Sequence, residues 1–523
     1  MILILRENQM QVKNSTTLHS TQNSTFHASA APGLFGRREF ILAIGAGAFS
    51  TVSGCWTSSP PPPPAPPKAF AGTKLILACP DVAYASAIIE WGAIWSVRTG
   101  GSITVVHKPI AEVPAADAAV VPAVDAVPFM QSGELQPLPV DLSAADHPCK
   151  LAAIIDAYRW KLTQWGTQSY ALPLTGDGSV TVYRADLFAD PARQREYRGQ
   201  TGTTLAAPGT WEDIQQIGQF FTTANGKPAL PPLPSEPGRL LAQFNQIAAC
   251  YDRRPAKLSE IEKVFVAARS FHMDLDKGTN RLLAPSFVAA ADWFHNTRTL
   301  RPAKPGDPLD ALIAGTAVLA VVPLAELVRL PRIGSTGGID PRFGLAAQPG
   351  TRTYFDEKGK TSGVGGRNYV PFLGVVARVG VVLSRSKQAE AAWDFFAELA
   401  GPAGNLLSMA RPAIGCGPFR IDHSNEALIQ TWEAYGFDAP RTKVLADAMR
   451  DFAPVTDVNP AMALRTPDQA QRMTLLEKAV RSAATGELTS HDALTQASQD
   501  WTKLDRAAGD SLKVWLRKAN GQE

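Results

Sequence analysis

The sequence YALPLTGDGSVTVYRADLF, residues 170–188, is the most informative part of this chain. Its Gly-Asp-Gly tripeptide, centred on Asp177, is typical of a tight turn, because glycine adopts backbone angles that other residues avoid. The run that follows contains Val180, Val182 and Tyr183, residue types that favour a β-strand. The carboxylate of Asp177 has two interpretations: it stabilises the turn itself, or it accepts a hydrogen bond from a ligand hydroxyl.

A helix is predicted a short distance downstream, in the segment APGTWEDIQQIGQFF that ends at residue 221. The hydroxyl of Thr210 can accept a hydrogen bond from the amide three residues later and so cap the helix. Asp213 lies in the first turn, where the helix dipole favours a carboxylate. Trp211, Ile214 and Ile217 recur at helical spacing, which predicts one apolar face.

The size and charge of the chain limit what it can be. A length of 523 residues is too great for one core, so two or more domains are expected. The formal net charge is only +3 and charged residues make up 19%, so we expect neither a nucleic-acid partner nor a polybasic membrane arm. A hydrophobic content of 45% is sufficient for folded cores without repeated membrane spans.

The N-terminus has the features of an export signal. Residues 1–32 are rich in Ser, Thr, Asn and Gln without periodicity, which predicts disorder, unless the gene start is placed too far upstream. Arg37 and Arg38 precede an apolar run, residues 40–52, that is too short to span a bilayer. The arginine pair resembles a twin-arginine signal, and Val-Ser-Gly-Cys55 resembles a lipobox, whose cysteine carries the lipid anchor. The alternative is an uncleaved apolar segment with an incidental cysteine.

A proline run at residues 60–67 follows this signal. Proline lacks the amide hydrogen that helices and sheets require, so the run predicts an extended polyproline spacer. A spacer in this position would hold the folded body away from the membrane to which acyl chains anchor it.

The folded body begins with a strand–helix–strand pattern. Residues 75–78, 102–106 and 117–121 are predicted strands, and an amphipathic helix lies between the first two. This order predicts a parallel sheet with a right-handed crossover. Ligands bind beyond the carboxyl ends of such strands, so Asp81, Tyr84 and Asp125 are candidate ligand contacts. The alternative for Tyr84 is that its ring packs in the core as part of the apolar stripe of the helix.

These segments resemble, in order, the bacterial extracellular solute-binding proteins of the sugar-binding type, the class of maltose-binding protein. The resemblance extends over about residues 73–511 and includes GELQPLP at residues 133–139, FGLAAQPG at 343–350, GGRNYVPFLGVVARVGVV at 365–382 and GCGPFRIDH at 415–423. It implies an α/β, two-lobed type II fold of periplasmic binding proteins, in which each lobe is a mostly parallel sheet flanked by helices. A ligand cleft and a hinge of three crossing segments would lie between the lobes.

The resemblance also implies a division of the chain. The N-terminus and signal occupy residues 1–55 and the tether 56–72. Lobe 1 comprises 73–178 and a returning segment, 346–415. Lobe 2 comprises 179–345 and the C-terminal helices, 416–523.

Further ligand contacts are implied near the crossing segments, at Asn368, Tyr369 and Arg420, and Trp432 is a candidate for stacking on a sugar ring. In the family, the strand after a helix-ending glycine often leads to a stacking Trp, but this chain has Pro323 and Leu324 there. The other tryptophans of the apolar helix faces are expected to pack in the core: Trp91, Trp95, Trp211 and Trp393.

The implied function is binding of a small solute, with a carbohydrate as the first candidate, and delivery to the permease subunits of an ABC importer. The protein would act as a monomer, facing the periplasm or the exterior. The same fold could instead signal to a membrane receptor, or carry an exported carbohydrate-active enzyme. The sequence contains no HExxH, GxSxG or Walker motif, so we expect no enzyme, cofactor or metal.

The cysteines leave the redox chemistry open. If Cys55 is lipidated, four cysteines remain: Cys79, Cys149, Cys250 and Cys416. Four cysteines allow three disulfide pairings, and all four can also be free buried thiols.

Overall fold

The computed structural model describes residues 26–27 and 68–522, apart from residues 255–257, 268–269, 334–337, 357, 403, 405–416, 425–429, 431–432, 434–437, 440–441, 444–445 and 448–458. The predicted export signal at Arg37 and Arg38, the lipid site Cys55, the proline run and the stacking candidate Trp432 lie outside the described residues. In the segment predicted to be disordered, only a two-residue strand is described.

The described residues form an α/β fold. The strands are β1 (Phe26–His27), β2 (Lys74–Ala78), β3 (Ser102–Val106), β4 (Ala118–Pro122), β5 (Gln164–Trp165), β6 (Gln168–Ser169), β7 (Leu172–Pro173), β8 (Ser179–Arg184), β9 (Met273–Asp274), β10 (Thr279–Asn280), β11 (Leu319–Pro323), β12 (Arg332–Ile333), β13 (Gly338–Ile339), β14 (Phe343–Ala347), β15 (Thr351–Phe355), β16 (Thr361–Asn368), β17 (Phe372–Leu373), β18 (Arg378–Val382) and β19 (Ala461–Met462). The α-helices are α1 (Val82–Thr99), α2 (Val127–Ser132), α3 (Ala185–Ala189), α4 (Pro191–Thr201), α5 (Trp211–Asn225), α6 (Arg239–Asp252), α7 (Glu260–Ala267), α8 (Pro285–Asn296), α9 (Pro308–Ile313), α10 (Ala389–Ala400), α11 (Gln469–Thr485), α12 (Ser490–Ala508) and α13 (Asp510–Ala519). Among the described helices, none has the length and apolar character needed to cross a membrane.

Lobe 1 is built on a sheet with the strand order β1-β3-β2-β4-β18-β7. The predicted parallel pairing of β2 with β3 and β4 is confirmed. Strands β1, β18 and β7 are added with antiparallel pairing, so three of the five strand pairs are antiparallel and the prediction of a mostly parallel sheet is wrong for this lobe. The helix predicted between the first two strands is α1. It begins because the Asp81 carboxylate accepts a hydrogen bond from the Tyr84 amide at 3.0 Å, and it ends at Gly100 with a positive φ of 79°.

Lobe 2 is built on a three-stranded sheet with the order β11-β8-β14. The prediction that this sheet is mostly parallel is wrong, because both pairs are antiparallel. The registers give the physical reason. Strand β8 leads away from the lobe boundary at Ser179, whereas β11 and β14 return toward it, so that Pro323 pairs with Ser179 and Ala347 with Val180. Strands that lead the chain in opposite directions must pair antiparallel.

The helix α5 begins as the sequence predicts. The Thr210 hydroxyl accepts from the Asp213 amide at 3.1 Å, and the Asp213 carboxylate accepts from the Thr210 amide at 2.9 Å. These reciprocal bonds satisfy two amides that the helix itself leaves unpaired. The buried Trp211 packs edge-to-face on Trp293 of α8, with ring centroids 5.2 Å apart.

Two buried apolar clusters form the cores. The first surrounds β2, β3, β4 and β18 and extends to the inner residues of β8 and β14. The second fills the helical part of lobe 2, where α6 packs on α8 and α11 packs on α12. Of the tryptophans expected in the core, Trp95, Trp211 and Trp393 are buried and Trp91 is half-buried.

Two connections between the lobes are described in full: residues 174–178, between β7 and β8, and residues 368–377, before β18. We call them the first and second crossing segments. Residues 417–420 lie beside the first, and we call them the third crossing segment after the connection that the sequence predicts there. The first and third are joined directly, because Gly176 and Gly417 exchange two backbone hydrogen bonds of 3.2 and 3.0 Å. The first and second meet where the amides of Gly374, Val376 and Ala377 donate to the Asp177 carboxylate.

Candidate functional site

A cavity of about 610 Å³ lies between the lobes, next to the crossing segments. Lobe 1 contributes residues at the end of β2 and the start of β18, and lobe 2 contributes the loop before α6, the first turns of α6 and the ends of β11 and β14. The volume is in the range of small-molecule sites, which typically occupy clefts between domains. The polar lining residues are Asp81, Asp177, Ser179, Glu236, Arg239, Gln243, Gln246, Glu326, Gln348, Tyr369 and Arg378.

The lobe 1 wall is an ion pair supported by an aromatic ring. The guanidinium of Arg378 pairs with the carboxylate of Asp81. It also lies over the Tyr84 ring, 5.4 Å from the ring centroid. The ring of Tyr84 is buried beneath this pair and is not part of the cavity lining. Tyr84 therefore supports the guanidinium by a cation–π contact.

The lobe 2 wall holds a second charged cluster. Arg239, the first residue of α6, pairs with Glu326 and, at 3.0 Å, with Glu236. Glu326 also pairs with Arg329. Each charged residue of this wall thus has an oppositely charged partner within the lobe.

Amide and aromatic side chains complete the cavity. Gln246 is fixed by the second crossing segment, since it donates to the Val370 carbonyl at 2.7 Å and accepts from the Phe372 amide at 3.0 Å. Tyr369 donates to Gln348 at 3.3 Å, and burial raises the pKa of its hydroxyl. The rings of Trp211 and Phe372 also line the cavity, although both are largely buried.

Asp177 lines the cavity, but its carboxylate is bonded to protein. It accepts hydrogen bonds from the amides of Gly374, Val376 and Ala377 at 2.8, 2.9 and 3.2 Å. The hydroxyl of Tyr158 lies 3.3 Å from the same carboxylate. Burial raises the pKa of the Asp177 carboxyl, and the three backbone amides oppose that rise.

The structure therefore brings Asp81, Asp177 and Tyr369 together at the cavity. The other described candidates lie elsewhere. Asn368 is buried and donates to the Arg253 carbonyl at 2.9 Å, and Arg420 is buried and donates to the Ala400 carbonyl at 2.8 Å. Asp125 lies beside Gln469, outside the lining, and burial raises its pKa.

Several lining residues were missed by the sequence analysis. Glu236 and Arg239 flank the turn that leads into α6, within the sequence SEPGR. The proline-rich loop before a predicted helix was the available signal, since functional residues concentrate on such loops. Arg378 gave no local signal, because its partner Asp81 is 297 positions away in the sequence.

Two further features bear on chemistry. Cys79, Cys149 and Cys250 are free, buried thiols, and Cys416 lies outside the described residues. Among the residues that the structure describes, no group of His, Cys, Asp or Glu is placed to hold a metal ion.

Solved structures with the same architecture include the cyclic α-maltosyl-1,6-maltose binding protein from Arthrobacter globiformis. It is 17% identical, with a TM-score of 0.58 over 83% of this chain and 99% of that chain. The fold is that of the maltose-binding-protein-like solute-binding proteins. An ABC transporter solute-binding protein from Agrobacterium radiobacter, solved with ribitol, shares this solute-binding fold at 16% identity and a TM-score of 0.59 over 84% and 100% of the two chains.

A third protein with the solute-binding fold is the sugar-binding protein MalE from Xanthomonas citri. It is 14% identical, with a TM-score of 0.59 over 83% of this chain and 98% of that chain. No protein-family model matches the sequence, and no curated protein matches it either. The shared property is the solute-binding fold, and the two-lobed architecture predicted from the sequence is confirmed.

Proposed function

We propose that the protein is an exported solute-binding lipoprotein that captures a small polyhydroxylated solute, a carbohydrate or polyol, in the interlobe cavity. The observation that carries this proposal is the cavity itself, which both lobes and the crossing segments line. Proteins of the same fold are described as binding cyclic α-maltosyl-1,6-maltose and ribitol. Delivery to an ABC importer follows from the proposal, because closure of the lobes would present the loaded protein to the permease as a distinct shape.

The chemistry of the lining favours an uncharged ligand. Arg378 and Arg239, the cationic residues of the described lining, are each paired with carboxylates. An anionic ligand would have to compete with those carboxylates for the guanidinium groups. The amides of Gln243 and Gln348 can donate to and accept from hydroxyl groups. The proposed ligand is therefore an uncharged solute that carries hydroxyl groups.

A ligand panel tests the proposal. Thermal unfolding of the purified protein would be followed with mono- and oligosaccharides, polyols, amino acids and peptides. A ligand at one hundred times its dissociation constant adds about 2.7 kcal/mol to stability, which gives a measurable shift of the melting temperature. A shift with amino acids or peptides but with no sugar or polyol would contradict the proposed ligand class.

Replacing Gln243 by Ala should weaken binding of the sugar that stabilises the parent protein, by about tenfold in dissociation constant. This is the effect of losing one buried hydrogen bond to a ligand. Isothermal titration calorimetry measures the change. Gln216→Ala on α5 is the control, because Gln216 is also half-buried in a helix but lies outside the cavity lining. Equal weakening in both variants would remove Gln243 from the site.

We also propose that Cys55 carries the lipid anchor. Cys55→Ala should abolish labelling of the protein with radioactive palmitate and release it from the membrane fraction. The control is Cys79→Ala, which removes a buried thiol whose pKa burial raises to about 12, and which should leave labelling unchanged. Palmitate labelling of the Cys55→Ala protein would overturn the assignment.

A further inference from the structure

The carboxylate of Asp177 lies where the three crossing segments meet. It belongs to the first crossing segment, and its oxygens accept from three amides of the second, those of Gly374, Val376 and Ala377. The Asp177 amide donates to the hydroxyl of Tyr158 at 2.9 Å. Asp177 is 6% exposed, so these protein groups, rather than solvent, satisfy the carboxylate.

The backbone of Asp177 packs against the third crossing segment at Gly417. A Cβ atom on Gly417 would lie 1.6 Å from the Asp177 carbonyl oxygen. Residue 177 therefore contacts both the second and the third crossing segments.

A carboxylate is the group that this arrangement requires. Both of its oxygens are acceptors, so it can bind three converging N–H donors, whereas an asparagine amide would place an NH2 group against at least one of them. Hydrogen bonds to a charged acceptor are stronger than neutral ones and offset part of the desolvation of the buried carboxylate.

The amides bound by Asp177 position one wall of the cavity. Val375, Val376 and Arg378 line the cavity. We propose that Asp177 is a positioning residue of the hinge, which holds the second crossing segment against the first and so sets the resting angle between the lobes. It acts on the ligand site through the second crossing segment, not by contact with the ligand.

The hinge role of Asp177 rests on the proposed function in one respect: it assumes that the two lobes move relative to each other. The experiment therefore uses the full chain without ligand, so that a failed ligand panel and a failed hinge role remain distinguishable. In Asp177→Asn, hydrogen exchange of peptides that cover residues 374–377 should be about tenfold faster. The radius of gyration from small-angle scattering should change as well, since the angle between the lobes is no longer held.

Tyr158→Phe is the second variant, because Tyr158 is fully buried and does not line the cavity. It should accelerate the same exchange a few-fold and change the scattering in the same direction. Asp505→Asn is the matched control: Asp505 pairs with Arg472 at 2.6 Å on α12, and burial raises its pKa too. It should leave both measurements unchanged.

The proposal is overturned if folded Asp177→Asn and Tyr158→Phe proteins exchange residues 374–377 at the parental rate and keep the parental radius of gyration. Equal acceleration in Asp505→Asn would also overturn it, because the effect would then reflect general destabilisation. If Asp177→Asn does not fold, the result for Tyr158→Phe decides the question by the same measurements.

Discussion

Replacing Gly417 by Ala should lower the free energy of unfolding by about 3 kcal/mol, the upper part of the usual range for a group forced into a packed interior. The added Cβ would lie 1.6 Å from the Asp177 carbonyl oxygen and 2.7 Å from the Gly178 amide nitrogen. Both are backbone atoms, so no side-chain rotation can relieve the overlap. Urea unfolding, followed by circular dichroism, measures the loss.

The control for this prediction is Gly199→Ala. Gly199 lies inside α4, and an added Cβ would meet no atom within 4 Å. Alanine is the better helix former, so this variant should gain about 0.5–1 kcal/mol. If Gly417→Ala is as stable as the parent, the first and third crossing segments are not in close contact and the hinge geometry must be revised.

The local elements of the fold were predictable because their determinants are local. Thr210 and Asp213 lie three positions apart, and their reciprocal hydrogen bonds follow from that spacing alone. The pairing of β2 with β3 follows from one short crossover. In lobe 2 the strands were predictable but their direction was not. Strand β8 pairs with β11 and β14, which are more than 130 positions away, and periodicity carries no information about distant partners.

Only part of the cavity lining was predictable from the sequence, and the contacts of its charged residues were not. Asp81 and Asp177 do lie at the cavity, as the ends of strands and the turn indicated. Their carboxylates, however, already bind Arg378 and the amides of the second crossing segment. Whether a carboxylate has free lone pairs depends on groups that are about 200 to 300 residues distant. That information exists only in the folded chain.

The two buried histidines should together remove about 4 kcal/mol of unfolding free energy between pH 7.5 and pH 5, because both rings stay neutral in the native state. Burial lowers the pKa of His272 and of His423 from 6.5 to about 3. Below pH 6.5 the unfolded chain binds protons at both rings and the native state does not, so stability falls as the pH falls. At pH 5, about 1.5 units below the pKa of the ring in the unfolded chain, each histidine lowers the free energy of unfolding by about 2 kcal/mol, at about 1.36 kcal/mol per pH unit.

The surroundings of His272 explain why it stays neutral. Its ring lies among the rings of Phe271, Phe287 and Trp501, with centroids 4.7, 5.6 and 5.9 Å away. The positive charge of Arg281 disfavours protonation of the His272 ring more than the Asp252 carboxylate favours it. In His423, the ring atom Nδ1 accepts from the amide of Phe419 at 3.3 Å, so it must be unprotonated.

Comparing His272→Gln with the parent isolates the contribution of one ring. The loss between pH 7.5 and pH 5 should be smaller than in the parent by about 2 kcal/mol, whereas His491→Gln, on the exposed face of α12, should keep the parental dependence. Burial raises the pKa of Asp177 and Asp505, so these carboxyls change stability in the opposite direction. They are present in all three proteins, however, and cancel in the comparison. A variant with the full parental pH dependence would therefore show that His272 takes up a proton in the native state.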